Sequence, residues 1–150
     1  MSLEYLNIAH VPLKDIKRIF SKISTHPDVT YNNIPCWIWT GSREKWGYGQ
    51  IWWSQTGCYE KIYRVLFAWT IHPLPKGQKH GELDHLCRNP SCCNPVHLEF
   101  VSSRINTLRG NNIAAQNARK TKCVRGHPFR LRENGRRYCP TCNHIRSRQA

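Results

Sequence analysis

Apolar residues first recur at helical spacing in "VPLKDIKRIFSKIS" (11–24), where Leu13, Ile16, Ile19, Phe20 and Ile23 share one stripe. Lys14, Lys17, Arg18 and Lys22 lie largely on the other faces, so the pattern predicts an amphipathic helix with a basic side open to solvent or to DNA. From Pro35 the period changes to two. In "CWIWTG", Trp37 and Trp39 fall on one face and Cys36 and Ile38 on the other, and "GYGQIWW" reads as a second strand after a glycine-containing turn. A turn at Ser54–Gly57 leads into "CYEKIYRVLFAW", strand-like at its start and then helical, with Ile62, Val65, Leu66 and Trp69 on one stripe. The tryptophans of this region are expected in the core rather than as platforms for nucleic-acid bases.

"HPLPKGQKHGE" is a Pro/Gly-rich connector. "LDHL" and "HLEFVS" then read as two short strands around a loop rich in Cys, Asn and Pro. Ser102 or Ser103 caps a helix through Arg104, Ile105 and Asn106 that stops near Gly110. From about Ala114 apolar content falls, and residues 119–148 carry ten Lys and Arg against the single acid Glu133. Such a tail does not bury enough apolar surface to order itself without help. The expected organisation is α+β: an N-terminal helical segment (1–30), a core (31–112) and a basic C-terminal module (113–150).

Composition narrows the partners. With 150 residues and 39% hydrophobic content, the chain has room for one modest core plus an appendage, a size that usually needs metals, disulfides or oligomerisation as reinforcement. The formal charge of +14 points to a polyanion. No apolar run is long enough to span a membrane, which favours nucleic acid over a lipid partner. The N-terminal "MSLEYLNIAHVP" has no cationic leader or apolar signal core. The expectation is therefore a protein that is not secreted, cytoplasmic or nucleoid-associated. Eight cysteines in that setting favour metal ligation over disulfides.

The C-terminal ligands are the simpler set. Cys139 and Cys142 form a C-x-x-C knuckle, and Cys123 and His127 complete a tetrahedral Cys₃His group suited to structural zinc. His80-Gly81-Glu82 with the later C-x-x-C superficially matches a zinc deaminase, but the proline follows the first cysteine instead of preceding it. In "DHLCRNPSCCNPVHLEF" (84–100), Cys87, Cys92 and His97 are spaced C-x₄-C-x₄-H, one ligand short of tetrahedral zinc. Cys93 is an awkward fourth because it adjoins Cys92; Cys36 and Cys58 are remote candidates, and spacing alone does not choose.

"HLCRNPSCCNPVHL", Asn106 nine residues after His97, and the upstream "CWIWTG…YG" together resemble the HNH, or His-Me finger (ββα-metal), nucleases. Within them the stretch is most similar to the His-Cys box homing endonucleases and related phage-type HNH proteins, over roughly 35–112. The resemblance implies a small zinc-stabilised ββα-metal nuclease core, with His85 as general base and Cys36 joining Cys87, Cys92 and His97 around a first zinc. It leaves Cys58 and Cys93 as free thiols. It also implies that Asp84 and Asn106 hold one catalytic Mg²⁺ or Mn²⁺, and that an arginine contacts the phosphate, for which Arg64 and Lys61 are candidates. Two departures stand out. The His-Cys box pattern does not require the acid Asp84, and the middle position of the HNH trio is His97, a zinc ligand rather than an asparagine that orients the base.

The implied activity is hydrolysis of phosphodiester bonds in double-stranded DNA, site-preferring and of homing, restriction or phage type. Lys61, Arg104, Arg109, Lys120, Lys122 and Arg125 are candidate DNA contacts, with two structural zincs per chain. A catalytically inactive zinc-stabilised protein that binds DNA or RNA is the alternative. Cutting both strands with one active site calls for a homodimer, whereas nicking needs only a monomer.

Overall fold

The computed structural model describes residues 5–6, 11–53, 56–75 and 81–148. In chain order these form β1 (Tyr5–Leu6), α1 (Leu13–Phe20), β2 (Ile23–Tyr31), β3 (Ile34–Trp39), β4 (Gln50–Trp53), β5 (Cys58–Lys61), α2 (Ile62–Thr70), β6 (Leu74–Pro75), β7 (Glu82–His85), β8 (Leu98–Val101), α3 (Ser103–Arg109), α4 (Ile113–Arg119), β9 (Arg130–Leu131), β10 (Arg137–Tyr138) and α5 (Pro140–Ser147). The fold is α+β. Strands pair antiparallel in separate two-stranded ladders, β1 with β6, β2 with β3, β4 with β5, β7 with β8, and β9 with β10. Two compact units divide within α3, 1–106 and 107–150, where the sequence reading places divisions at 30/31 and 112/113. No helix among the described residues is long and apolar enough to cross a membrane.

In the first unit the predicted N-terminal helix is shorter than its apolar stripe. α1 ends at Phe20, and Ile23 opens β2 instead. Within α1, Ile19 is fully buried, but Leu13 is 67% exposed and Phe20 meets only the edge of Trp37, with ring centroids 6.0 Å apart. Asp15 takes an inward position and is held by Arg18 at 3.0 Å, while Arg18 also donates to the Trp52 carbonyl at 2.8 Å. One of the basic residues read as surface charge is thus partly committed to holding the helix in place. β2 is polar along most of its length and carries no alternating signal. Its pairing with β3 comes from the Asn32-Asn33 turn, both residues in left-handed backbone (φ 50° and 61°), the conformation that tight hairpin turns require and asparagine tolerates.

The core lies where α2 packs beneath the β3 and β4 strands. Trp39, Trp53, Ile62, Val65, Leu66 and Leu74 are all essentially solvent-free. α2 follows β5 without a break, matching the strand-then-helix pattern of "CYEKIYRVLFAW". The expectation of core tryptophans holds for Trp39 and Trp53 and in part for Trp37 and Trp69, which pack against the cluster; Trp46 and Trp52 are exposed. The Trp39 indole donates to the Ser42 carbonyl at 3.0 Å, so its one polar group is satisfied. Its ring occupies the space a side chain at position 49 would need. A Cβ on Gly49 would stand 2.5 Å from Trp39 Cδ1 and 2.7 Å from Ile62 Cγ2.

The second unit is built of short pieces. Asn112 caps α4 by accepting from the Ala115 N–H at 2.9 Å. Two arginines are used on carbonyls: Arg119 reaches the Leu108 and Gly110 carbonyls at 3.0 and 2.9 Å, and Arg137 binds those of Asn117, Ala118 and Lys120 after α4. Cations there satisfy orphan carbonyls and oppose the helix dipole.

Gly49→Ala is expected to lower unfolding free energy by about 1–3 kcal/mol, as overpacking does in tight cores. Urea denaturation of the zinc-replete protein, compared with the unsubstituted chain, measures it.

Candidate active site and metal clusters

The "SCC" loop at 91–93 joins β3 as though it were a third strand. The Trp39 N–H donates to the Ser91 carbonyl at 2.9 Å, and the Cys93 N–H to the Trp37 carbonyl at 2.8 Å, placing Cys92 opposite Ile38. Cys36 shares the Ile38 face of β3 and so arrives beside Cys92. Asn94 sets the other side. Its side chain accepts from the Val96 N–H at 3.2 Å at the start of a 3₁₀ turn (Pro95–His97) and donates to the Pro35 carbonyl at 3.0 Å. That clamp brings His97 against Cys36.

The four ligand atoms of Cys36, Cys87, Cys92 and His97 consequently lie within 4.8 Å of one another. His97 Nδ1 is 3.5 Å from both Cys36 Sγ and Cys92 Sγ. With Zn–S of about 2.3 Å and Zn–N of about 2.0–2.1 Å, tetrahedral angles put S and N about 3.6 Å apart and two sulfurs about 3.8 Å apart. The observed separations fit those edges, and the donor set is one zinc prefers, so this group can hold a zinc ion. The thiols also bear the mark of a shared negative charge. The Cys87 thiol is held down to about 5, chiefly by the hydrogen bond from Cys92, whose own thiol is pushed up. Cys36, on the face predicted by alternation, is the fourth member. Cys93 is outside the group, bonded to the Trp37 carbonyl at 3.3 Å and raised to about 12 by burial, and Cys58 is exposed on β5.

In the second unit Cys123, His127, Cys139 and Cys142 form a like group. Cys123 Sγ is 3.8 Å from Cys142 Sγ and 3.7 Å from His127 Nδ1, and Cys142 Sγ is 3.5 Å from His127 Nδ1. The turn that folds Cys123 back to His127 needs Gly126 in left-handed backbone (φ 81°), and the Cys123 N–H closes it onto the His127 carbonyl at 2.8 Å.

Beside the first cluster is a cleft of 440 Å³ lined by Trp46, Tyr48, Leu83, Asp84, His85, Arg88, Pro90 and Asn106. β7 and β8 pair in register, His85 opposite Leu98, and α3 follows β8, giving the strand–loop–strand–helix order read from the sequence. The Ser102 hydroxyl accepts from the Ile105 N–H at 3.3 Å at the helix start. His85 is buried between the rings of Tyr63 and Tyr48, at centroid distances of 4.7 and 5.6 Å. Burial lowers its pKa below the usual 6.5, so the neutral ring is the resting form. His85 Nε2 donates to the Cys92 carbonyl at 3.0 Å, because only the protonated nitrogen can bond a carbonyl; Nδ1 therefore carries the lone pair. Asp84 is 2% exposed and ion-paired with Arg88 at 2.5 Å. The Asn106 amide donates to Glu82, leaving its Oδ1 as the acceptor end.

Residues 66–108 match the HNH endonuclease family. The HNH resemblance read from the sequence is thus shown over this segment, which contains the C-terminal half of α2, β6, β7, β8 and most of α3. A relative, Protein 2.8 of Escherichia phage T7, is 39% identical over 72 residues, which cover 48% of this chain and 46% of that protein. The chain spans less than half of that relative's length. No solved structure matches.

In this geometry Asp84, His85 and Asn106 come together in one cleft, and the eight candidate ligands separate into two clusters. Arg64 stands on α2, half-buried and outside the cleft lining, while Lys61 bonds Glu44 at 3.0 Å and sits over the Tyr48 ring at 4.9 Å. Arg104, Arg109, Lys120, Lys122 and Arg125 are exposed. Sequence reasoning missed Glu82, Arg88 and the Cys92 carbonyl. Glu82 precedes the motif and Arg88 lies within it, both legible as charges; a backbone carbonyl leaves no trace in residue identity.

Metal analysis of the purified chain is expected to give about two zincs per molecule. Cys139→Ser should reduce this to about one and make the 107–150 region protease-sensitive while sparing the 1–106 unit.

Proposed function

We propose that this protein is a metal-dependent endonuclease that hydrolyses phosphodiester bonds in double-stranded DNA, with His85 as its general base. The observation that carries the reading is the hydrogen bond from His85 Nε2 to the Cys92 carbonyl, within a cleft shared by Asp84 and Asn106. A neutral ring with its lone pair on Nδ1 is prepared to take a proton from water near neutral pH. The Tyr48 and Tyr63 rings keep the imidazole in place and limit its solvation on that side.

Asp84 and Asn106 offer hard oxygen donors of the kind Mg²⁺ or Mn²⁺ takes, few enough to leave positions for water and phosphate. Such an ion supplies Lewis acidity at the scissile phosphate and at the departing 3′ oxygen. Glu82 accepts from the Asn106 amide and so presents Asn106 Oδ1 for that role. The two Cys/His clusters take structural zinc, one pinning the loop that orients His85, the other ordering the basic C-terminal module.

Arg64 and Lys61 are the candidates for the phosphate contact implied by the resemblance, and the Arg64 charge acts on the neighbouring Tyr63. Lys61, Arg104, Arg109, Lys120, Lys122 and Arg125 extend the contact with DNA, as their charge supports. In functional terms residues 31–112 are the nuclease core, 113–150 a DNA-gripping zinc module and 1–30 an added basic face. The relative from a phage is in keeping with a phage-type role, beside homing and restriction. The working location is the cytoplasm or nucleoid, with a homodimer where both strands are cut.

Mg²⁺ is expected to support nicking or cutting of plasmid DNA and EDTA to abolish it. His85→Ala should reduce the cleavage rate about 10²–10⁴-fold while zinc content and DNA binding are retained. DNA binding with no turnover in the unsubstituted protein would favour a binding-only role instead.

A further inference from the structure

Among the described residues the cleft lining contains one cation, and it is not a residue that the resemblance singles out. Arg88 lines the cleft beside Asp84, His85 and Asn106. Its Nη1 lies 2.5 Å from Asp84 Oδ1. The two partners differ sharply in exposure: the Asp84 side chain is 2% exposed and that of Arg88 50%. The carboxylate is fixed while the guanidinium reaches it from the solvent side. Arg88 also adopts left-handed backbone (φ 56°), a conformation that residues with a Cβ take up rarely and that tends to mark constrained functional positions. The turn that imposes it is anchored at both ends. The Arg88 N–H bonds the His85 carbonyl at 3.0 Å, and the Leu86 N–H bonds the His97 carbonyl at 2.9 Å.

We propose that Arg88 is a catalytic phosphate contact held in reserve by Asp84, and that its release couples metal binding to DNA binding. The inference rests on the nuclease reading for the identity of the two ligands. Arg88 and a divalent cation both seek the Asp84 carboxylate, while Asp84 and a DNA phosphate both seek the Arg88 guanidinium. A cation taken up at Asp84 weakens the ion pair and frees the guanidinium. The freed fork is matched in shape and charge to two phosphate oxygens. Conversely, a phosphate that draws Arg88 away leaves Asp84 open to the cation. By linkage each ligand must then raise the affinity for the other by the same factor. With neither ligand bound, the ion pair gives the buried carboxylate a counter-charge.

The test uses the full chain in a His85→Ala background to suppress cleavage, with Ca²⁺ as the cation probe and a labelled mixed-sequence duplex as the phosphate probe. Calcium affinity is measured with and without the duplex, and duplex affinity with Ca²⁺ and with EDTA. Each ligand is expected to tighten the other at least about fivefold, the lower end of usual coupling energies. Adding Arg88→Ala should tighten Ca²⁺ binding without DNA, weaken duplex binding with Ca²⁺, and lower the coupling factor to the part that direct contact between cation and phosphate supplies. Opposite signs on the two ligands separate this role from general damage, which would weaken both. If Arg88→Ala lowers zinc content, Arg88→Lys carries the test. It keeps the charge without the fork, and the coupling should fall yet keep its sign. Coupling unchanged in the variants, or absent in the parent, would overturn the proposal. Mg²⁺-dependent plasmid cleavage by the unsubstituted protein is scored separately, so a working nuclease without coupling is distinguished from a protein that never cleaves.

Discussion

The hydrogen bond between His85 Nε2 and the Cys92 carbonyl is the contact on which the cleft depends, because Cys92 belongs to three structures at once. Its sulfur is in the first Cys/His cluster, its backbone stands opposite Ile38 of β3, and its carbonyl fixes the imidazole. A loop of "RNPSCCNP" has little intrinsic reason to hold one shape. Zinc at the four ligands would supply that reason, since metal binding to such sites is worth about 10–16 kcal/mol in small peptides and is realised as folding free energy. The His85 tautomer therefore rests on the metal cluster rather than on a side chain dedicated to it. This also accounts for a histidine at position 97 where the resemblance leads one to look for an orienting asparagine. In the proposed nuclease the orienting task would fall to a backbone atom five residues earlier, the Cys92 carbonyl.

A protein this small has to use each apolar side chain more than once. Trp39 closes the core over Ile62, forces glycine at position 49, and through its N–H to Ser91 holds the cysteine loop against β3. The 107–150 unit has no such resource. Val124 is fully exposed and Leu131 largely so, and among the described residues there only Ala115 and Cys139 are buried. The high charge is less uniform in purpose than its sum suggests. Arg18, Arg119 and Arg137 satisfy carbonyls and Arg88 satisfies a buried acid, so those cations are already engaged before any polyanion arrives. Arg104, Lys122 and Arg125 are the kind of exposed charge that phosphate contacts draw on.

Much of this was legible in the sequence because the informative positions are ones where a residue type has few alternatives. Thiols at knuckle spacing, the alternation in "CWIWTG" that puts Cys36 on a common face with Ile38, and the strand-to-helix change in "CYEKIYRVLFAW" all reappear as structure. The failures have physical causes as well. The apolar stripe over 11–24 reads as one helix, yet only Leu13–Phe20 is helical and Ile23 is taken by β2. Pairing with β3 overrides local periodicity there, and the Asn32-Asn33 turn that makes it possible is a backbone event. Asp15, an acid placed inward because Arg18 can meet it, defeats any reading in which charge means surface.

The cleft imposes opposite demands on adjacent residues of one strand. The proposed role of His85 as base needs its charged form disfavoured, which burial among Tyr48 and Tyr63 achieves, a setting unlike the one a carboxylate one residue away needs. Asp84 nevertheless is more deeply buried than His85. The conflict is resolved by charge, since Arg88 returns through the turn after β7 to reach Asp84 while the Cys92 carbonyl serves His85. Both solutions come from the same short loop, whose turn at 85–88 and whose cysteine at 92 are tied together by the metal-ligand cluster. Loop conformation, base orientation and counter-charge are consequently a single structural property, and a substitution that disturbs the cluster acts on all three.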